Sequence, residues 1–417
     1  MNCLEKDNIP VGYKDSAVGI IPQEWKVKAL GEAYKLQGGY AFKSELFADI
    51  GIPIVRISNL PMDSNIVDIT DCVYYPNTES IKEQFIIKQG MLLIAMSGAT
   101  TGKTAVYNSQ NSSYLNQRVG MFCSKNDDIT YNYLLQLVQS PLYSNALKPL
   151  LIAGAQPNIA PSDVENMKFP VPPLAEQRKI AEILGVWDEV IEKQSRLIEK
   201  LELRKRALMQ RLLTGRTRLP GFTTPWQKVK LGEICEEFVL RNTDDNDYIV
   251  LYCTKYNGLV SSLDYFGKQI FSDNLRTYKV VPKYHFAYAT NHIEEGSIGY
   301  QGSYDYALIS PMYTVFKADD TKVDNYFLYT LLKTPLMIYN YQSRIEGSID
   351  RRGGLRWDAF AGITIKLPSL PEQKAIAEVL TTADDEITTH RKKLDALRLQ
   401  KRGLMQQLLT GKTRVKI

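Results

Sequence analysis

The chain has 417 residues, enough for two to four domains and more than one hydrophobic core. At 44% hydrophobic and 23% charged it reads as an ordinary globular protein, and with no apolar run of 18 residues it predicts no membrane span. Net charge is +5, but the two large segments 22–170 and 226–366 are near neutral (12 basic to 13 acidic, 16 to 17), so bulk charge points only weakly to a nucleic-acid partner.

The N-terminal segment, residues 1–21, opens Met1-Asn2-Cys3-Leu4-Glu5-Lys6-Asp7, without the basic start and apolar stretch of a secretion signal. The five cysteines (Cys3, Cys72, Cys123, Cys235, Cys253) form no CxxC pair and lie far from the three histidines (His285, His292, His390). This predicts reduced thiols in a cytoplasmic protein, with neither a disulfide framework nor a metal site.

Residues 22–170 read as a mixed α/β block of short strands, among them Ile52–Ile57, Met91–Met96 and Val119–Phe122. Polar clusters fall between strands: Ser97-Gly98-Ala99-Thr100-Thr101-Gly102-Lys103, then Asn116-Gln117-Arg118. Arginine forks onto guanine, Asn and Gln pair with adenine, and Lys or Ser hold phosphates. Ser97, Thr100, Thr101, Lys103, Asn116, Gln117 and Arg118 are therefore candidate DNA contacts. Gly98…Gly102-Lys103-Thr104 is not a nucleotide-phosphate loop, because three residues separate its glycines where that motif needs four.

Residues 171–222 begin a repeat. Glu176-Gln177-Arg178-Lys179-Ile180-Ala181-Glu182-Ile183-Leu184 returns as Glu372-Gln373-Lys374-Ala375-Ile376-Ala377-Glu378-Val379-Leu380, and Leu212-Leu213-Thr214-Gly215 returns as Leu408-Leu409-Thr410-Gly411. Across 176–218 and 372–414, 21 of 43 positions are identical without a gap, far beyond chance. A weaker echo, Trp25…Leu30-Gly31-Glu32 and Trp226…Leu231-Gly232-Glu233, precedes each block. Each repeat predicts one long helix, with Pro172-Pro173 or Pro371 at its start and Gly215 or Gly411 at its end.

Steps of four and three residues mark one face of each helix. In the first copy this face holds Ile180, Leu184, Trp187, Ile191, Ile198, Leu201, Leu208 and Leu212; in the second, Ile376, Leu380, Ala383, Ile387, Leu394, Leu397, Leu404 and Leu408. The polar exceptions coincide: Gln194 with His390, and Lys205 with Lys401. That 3.5-residue period is a coiled-coil seam. Two such helices in one chain are expected to pair antiparallel, relating the halves by a pseudo-two-fold axis.

Residues 223–366 form a second, unlike α/β block. Gln269–Phe271, Phe286–Ala289 and Met312–Phe316 are its predicted strands, and it holds 15 tyrosines against nine in the first. Its candidate DNA contacts are Asn291, His292, Arg344, Arg351, Arg352 and Arg356. Residues 367–417 complete the chain with the second repeated helix, for an α+β architecture overall. Asp358 with Glu372-Gln373-Lys374 resembles a nuclease metal site, but these residues open a helix whose other copy reads Glu176-Gln177-Arg178, so capping and packing explain them better. There is no glycine-rich S-adenosylmethionine fingerprint after a strand, no Asn/Asp-Pro-Pro-Tyr and no nucleophile triad, so no catalytic site is expected in this chain.

The repeats, their Leu-Leu-Thr-Gly endings, the Pro172–Leu184 and Leu370–Gln373 stretches, and Met96–Lys103 with Leu115-Asn116-Gln117-Arg118 together resemble the specificity subunits of type I restriction–modification enzymes. The resemblance covers nearly the whole chain. It implies two target-recognition domains, each reading one half of a split double-stranded DNA site, with the paired helices setting the spacer. It implies two methylation subunits docked on the helices, carrying S-adenosylmethionine, and motor–nuclease restriction subunits using ATP and magnesium. The second block lacks the Ser-Gly-Ala-Thr-Thr-Gly-Lys pattern, with Ala289-Thr290-Asn291-His292 at the comparable place, which predicts unlike half-sites. Two other readings stand beside this one: the specificity subunit of a related methyltransferase or fused-nuclease system without the motor, and a coiled-coil interaction scaffold without a DNA role.

Overall fold

A computed structural model of the chain describes residues 9–77, 80–152, 157–345 and 354–417. It divides into two compact units, residues 1–195 with 392–417 and residues 196–391, and the division falls inside both long helices.

The first unit contains β1 (Lys26–Ala29), β2 (Tyr34–Gly38), β3 (Ile52–Val55), β4 (Val73–Tyr75), β5 (Ile86–Ile87), β6 (Leu92–Ala95), β7 (Thr104–Val106), β8 (Ser113–Leu115), β9 (Val119–Ser124) and β10 (Lys168–Val171). Helices α1 (Tyr131–Val138) and α2 (Pro141–Ile152) follow β9, and α3 (Leu174–Leu212) follows β10. A four-stranded antiparallel sheet runs β2-β9-β6-β7, and a mixed one runs β4-β3-β8-β5.

The run Leu92-Leu93-Ile94-Ala95 is buried throughout because its sheet separates two cores. Successive strand residues point to opposite faces. Leu92 and Ile94 join the core that contains Trp25, Tyr133 and Phe169, while Leu93 and Ala95 join one with Val55, Tyr107 and Leu115.

The second unit repeats this plan on other residues. Its strands are β11 (Gln227–Lys230), β12 (Cys235–Glu237), β13 (Leu251–Thr254), β14 (Gly258–Ser261), β15 (Lys279–Pro282), β16 (Phe286–Ala289), β17 (Ile298–Tyr300), β18 (Tyr306–Ile309), β19 (Tyr313–Ala318) and β20 (Thr364–Leu367). The main helices are α4 (Asn325–Leu332), α5 (Pro335–Gln342), α6 (Trp357–Ala361) and α7 (Leu370–Leu408). The sheet order β12-β19-β16-β17 matches β2-β9-β6-β7 strand for strand. Phe286 and Tyr288 face one core, and Ala287 and Ala289 the other. The second sheet differs: two separate ribbons, β13-β14 and β15-β18, take the place of the mixed sheet.

One predicted strand does not form. Gln269–Phe271 is irregular loop, because Gly267 ends the preceding helix in left-handed backbone and the Gln269 amide bonds Phe271 O and Asp273 within its own loop.

In each unit the long helices pair antiparallel. In the second, Glu202 meets Arg391 at 2.6 Å and Lys205 meets Asp384, so one residue number rises as its partner's falls. In the first, Lys401 meets Asp188 at 2.5 Å, and Ile180 and Leu184 share a core with Met405 and Leu408. The seam is what is buried, not apolar residues in general. Ile180, Leu184, Ile198, Leu201 and Leu212, with Ile376, Leu380, Ile387, Leu394 and Leu408, are buried. Trp187, Ile191, Leu208, Leu397 and Leu404 are half-buried. Off the seam, Leu203 and its copy Leu399 are 61% and 67% exposed. Lys205 and Lys401 break the apolar pattern because each is paired with the aspartate it faces. That aspartate also accepts from a short helix of the same unit: Asp188 from Gln136 Nε2 at 2.8 Å, and Asp384 from the Tyr326 hydroxyl.

Each long helix starts on two buried side chains. Gln177 Nε2 donates to Asp128 O and Pro172 O, and its Oε1 accepts from Thr130 N; Gln373 does the same with Lys322 O, Pro368 O and Asp324 N. Glu176 accepts from Arg414 Nε at 2.7 Å, and Glu372 from Arg218 Nε at 2.5 Å. Both arginines follow the Gly411 and Gly215 turns (φ 73° and 69°), where left-handed backbone ends the helix.

Breaking a buried ion pair strands the remaining charge at a cost of roughly 3–5 kcal/mol. Glu372→Ala is therefore expected to lower the thermal midpoint by several degrees, whereas exposed Glu182→Ala leaves it within about 1 °C, read by circular dichroism melts. Burial pushes the thiols of Cys235 and Cys253 up to about 12. A raised thiol pKa means less thiolate at neutral pH. Iodoacetamide at pH 8 is expected to spare both until denaturant is added, as mass mapping would show, while half-buried Cys72 and Cys123 are modified first.

Candidate nucleic-acid interface

In the first unit the predicted contacts gather at one end of the β2-β9-β6-β7 sheet. The loop after β6 turns on Gly98 and Gly102, both left-handed at φ 82°. At Gly102 a Cβ would lie 2.0 Å from the Leu147 side chain, so a larger residue would have to displace Leu147 as well as adopt left-handed backbone. Gly102 N returns to Ala95 O and Lys103 N to Thr100 O. This loop runs into strand β7 rather than a helix, unlike a nucleotide-phosphate loop.

The Asn116-Gln117-Arg118 turn lies alongside, because Met96 N donates to Arg118 O at 2.9 Å. Asn116 Oδ1 accepts from Arg118 N and Asn116 O from Val119 N, which leaves the Gln117 and Arg118 side chains exposed at the tip.

These residues are not equally available. The Thr101 hydroxyl is bound inside the loop, to Gly98 O and Pro157 O, and Thr100 Oγ1 donates to Ile57 O. Ser97 Oγ is buried with no hydrogen-bond partner among the described residues. Lys103 Nζ donates to Asn65 Oδ1 at 3.0 Å, and burial lowers its pKa, with Asp63 opposing the shift. The reading from sequence missed Asn65, Asp63 and Tyr40, whose backbone O accepts from Gln117 N. They are far off in the chain, and only the fold brings them here.

In the second unit the corresponding end carries Asn291 and His292 after β16. Leu355 N donates to Thr290 O, which brings Arg356, exposed at the start of α6, beside this loop. Gln342 Nε2 donates to Glu294 O, bringing the end of α5 here too, with Arg344 two residues on. The Arg344 guanidinium is held by Asn340. Arg351 and Arg352 lie outside the described residues. His292 Nδ1 sits 4.0 Å from Glu295 Oε1 and is exposed. The nuclease-like set does not come together as one: Glu372 is buried against Arg218, and Asp358 is exposed in α6. A second residue set missed from sequence is Ser310-Pro311-Met312, which takes the place of Asn116-Gln117-Arg118 before β19.

Residues 22–203 and 224–399 match the family described as the type I restriction modification DNA specificity domain, once for each half of the chain. The chain belongs to this family. A type I restriction enzyme specificity subunit of Methanocaldococcus jannaschii, MjaX, is 28% identical over 442 residues and covers 97% of both chains. The MjaVIII specificity subunit of the same organism is 31% identical over 218 residues, covering 50% of this chain and 49% of its own. Two solved structures share the fold. The type I restriction–modification S subunit from M. genitalium superposes with a TM-score of 0.51 at 14% identity, over 92% of this chain and 96% of its own. A chain from a structure concerned with complex assembly and conformational transition of the type I R-M system gives 0.59 at 16% identity, over 94% and 99%. No helix among the described residues is long and apolar enough to cross a membrane.

Two residues at this end of the first unit make separable predictions. Lys103→Ala is expected to weaken DNA binding about equally on all sequences and to flatten the salt dependence by about one unit of log–log slope. Arg118→Ala is expected to relax one position of one half-site, at about 1–3 kcal/mol. Fluorescence anisotropy of the assembled complex over a salt series separates the two.

Proposed function

We propose that this chain is the DNA-reading specificity subunit of a type I restriction–modification complex. It recognises a bipartite, asymmetric double-stranded site and scaffolds the other subunits. One observation carries this: the family domain occurs twice, and the matching sheets of its two copies end in unlike polar loops. A direct reader needs side chains of fixed geometry on a rigid support. The doubled sheet supplies the support, and the loops after β6 and β16 supply the side chains.

Two methylation subunits dock on the long helices and bring S-adenosylmethionine for adenine methylation. Motor–nuclease subunits bring ATP and magnesium. This chain positions DNA for them, and the complex works in the cytoplasm. The paired helices set the spacer between half-sites.

The test is single-molecule sequencing of DNA from a methylation-free host expressing this chain with its methylation subunits. The expected result is one split adenine-methylated motif with unlike halves. Exchanging residues 22–170 for those of another member should change one half only. Absence of any sequence preference contradicts the reading in favour of an interaction scaffold. Methylation without cleavage when neighbouring nuclease genes are co-expressed indicates a related system without the motor.

A further inference from the structure

The turn before β9 and the turn before β19 share one backbone and carry opposite chemistry. In the first unit, Asn116 Oδ1 accepts from Arg118 N at 3.3 Å and Val119 N returns to Asn116 O at 2.9 Å. In the second, Ser310 Oγ accepts from Met312 N at 3.5 Å and Tyr313 N returns to Ser310 O at 3.1 Å. Asn and Ser at the first position do the same local work, bonding backbone two residues on. Each turn is tied to the loop that follows the neighbouring strand: Arg118 O accepts from Met96 N, and Met312 O accepts from Thr290 Oγ1. The strands behind them are in equivalent register, Val119 opposite Ala95 and Tyr313 opposite Ala289.

What differs is the tip. Gln117 and Arg118 offer donors and an acceptor. Pro311 offers none, Met312 only a weakly accepting thioether, and Met312 is 61% exposed. An unbranched thioether exposed to water gains by covering apolar surface. In the major groove, the apolar feature that distinguishes one base from the rest is the C5-methyl of thymine.

We propose that Met312 is a specificity-determining residue that packs on a thymine methyl in the half-site read by the second unit, at the place where the first unit presents Arg118. This rests on the DNA-reading function argued above and adds the chemistry of one contact. It makes the two half-sites differ in kind at this turn: hydrogen-bonded recognition in one, apolar recognition in the other.

The experiment uses the complex of the full chain with its methylation subunits and duplexes of the mapped site. Each thymine of the second half-site is replaced singly by deoxyuridine, which removes only the methyl. One position is expected to weaken binding about three- to tenfold, the loss of a buried methyl contact. Met312→Ala should bind the natural duplex weaker by a similar factor and become indifferent to deoxyuridine at that position. Met312→Leu should restore most of the sensitivity. Since Met312 is exposed, folding is controlled by an unchanged melting temperature and an unchanged first half-site.

A half-site with no thymine overturns the proposal. So does a wild-type complex indifferent to every deoxyuridine, or a Met312→Ala complex that keeps its sensitivity. Each of these outcomes leaves the subunit's role intact. Loss of all sequence preference in the wild-type complex would remove the role itself.

Discussion

A carboxylate buried at the start of a long helix and an arginine arriving from the turn after the other helix hold each half of this protein together. Glu176 with Arg414, and Glu372 with Arg218, are the same contact made twice by the same repeated residues. Each ties the start of one helix to the end of its antiparallel partner, so it fixes register as well as contributing stability. A buried pair of this kind gains little over well-packed apolar side chains, yet removing one partner is costly. Its value lies in admitting one alignment of the seam. The ladders between Lys401 and Asp188 and between Lys205 and Asp384 act the same way farther along, and Gln136 and Tyr326 connect them to the α/β part of each unit. The twin copies are not identical: Trp25 Nε1 donates to Glu176, whereas Trp226 Nε1 is buried with no partner among the described residues, its ring lying against Arg218 instead.

From that frame each unit builds a sheet whose middle strands are covered on both faces. The loops at the sheet ends therefore rest on backbone that cannot drift. This is what lets loops of different sequence take the same place, and why the Asn116 turn and the Ser310 turn superimpose in hydrogen bonding while differing in what they present. The side chains at the tips vary, and the supporting bonds stay put.

The repeat made the helices, their ends and their mutual direction legible from sequence. A seam period shared over ten positions allows few arrangements, whereas the partners of the polar positions Lys205 and Lys401, Asp384 and Asp188, lie off that period and left no mark in it. Strands Leu92–Ala95 and Phe286–Ala289 were legible as short continuous apolar runs. Gln269–Phe271 was not a strand, because a side-chain amide bonding its own loop leaves no mark in apolar patterning. The candidate interface was half legible. Polar residues such as Arg118 advertise themselves, but Asn65 reaches Lys103 only through the fold. Met312 carries no polar signal at all, and only its strand register identifies it.

The spacer-setting role proposed for the helix pair makes a direct prediction. Inserting one heptad into each helix, after Ser195 and after Arg391, keeps the seam in phase while adding about 10 Å of helix, close to three base-pair steps of DNA. Methylation mapping of that variant with its partner subunits is expected to show both half-sites unchanged and the spacer longer by about three base pairs. An unchanged spacer, or altered half-sites at the original spacing, would contradict it.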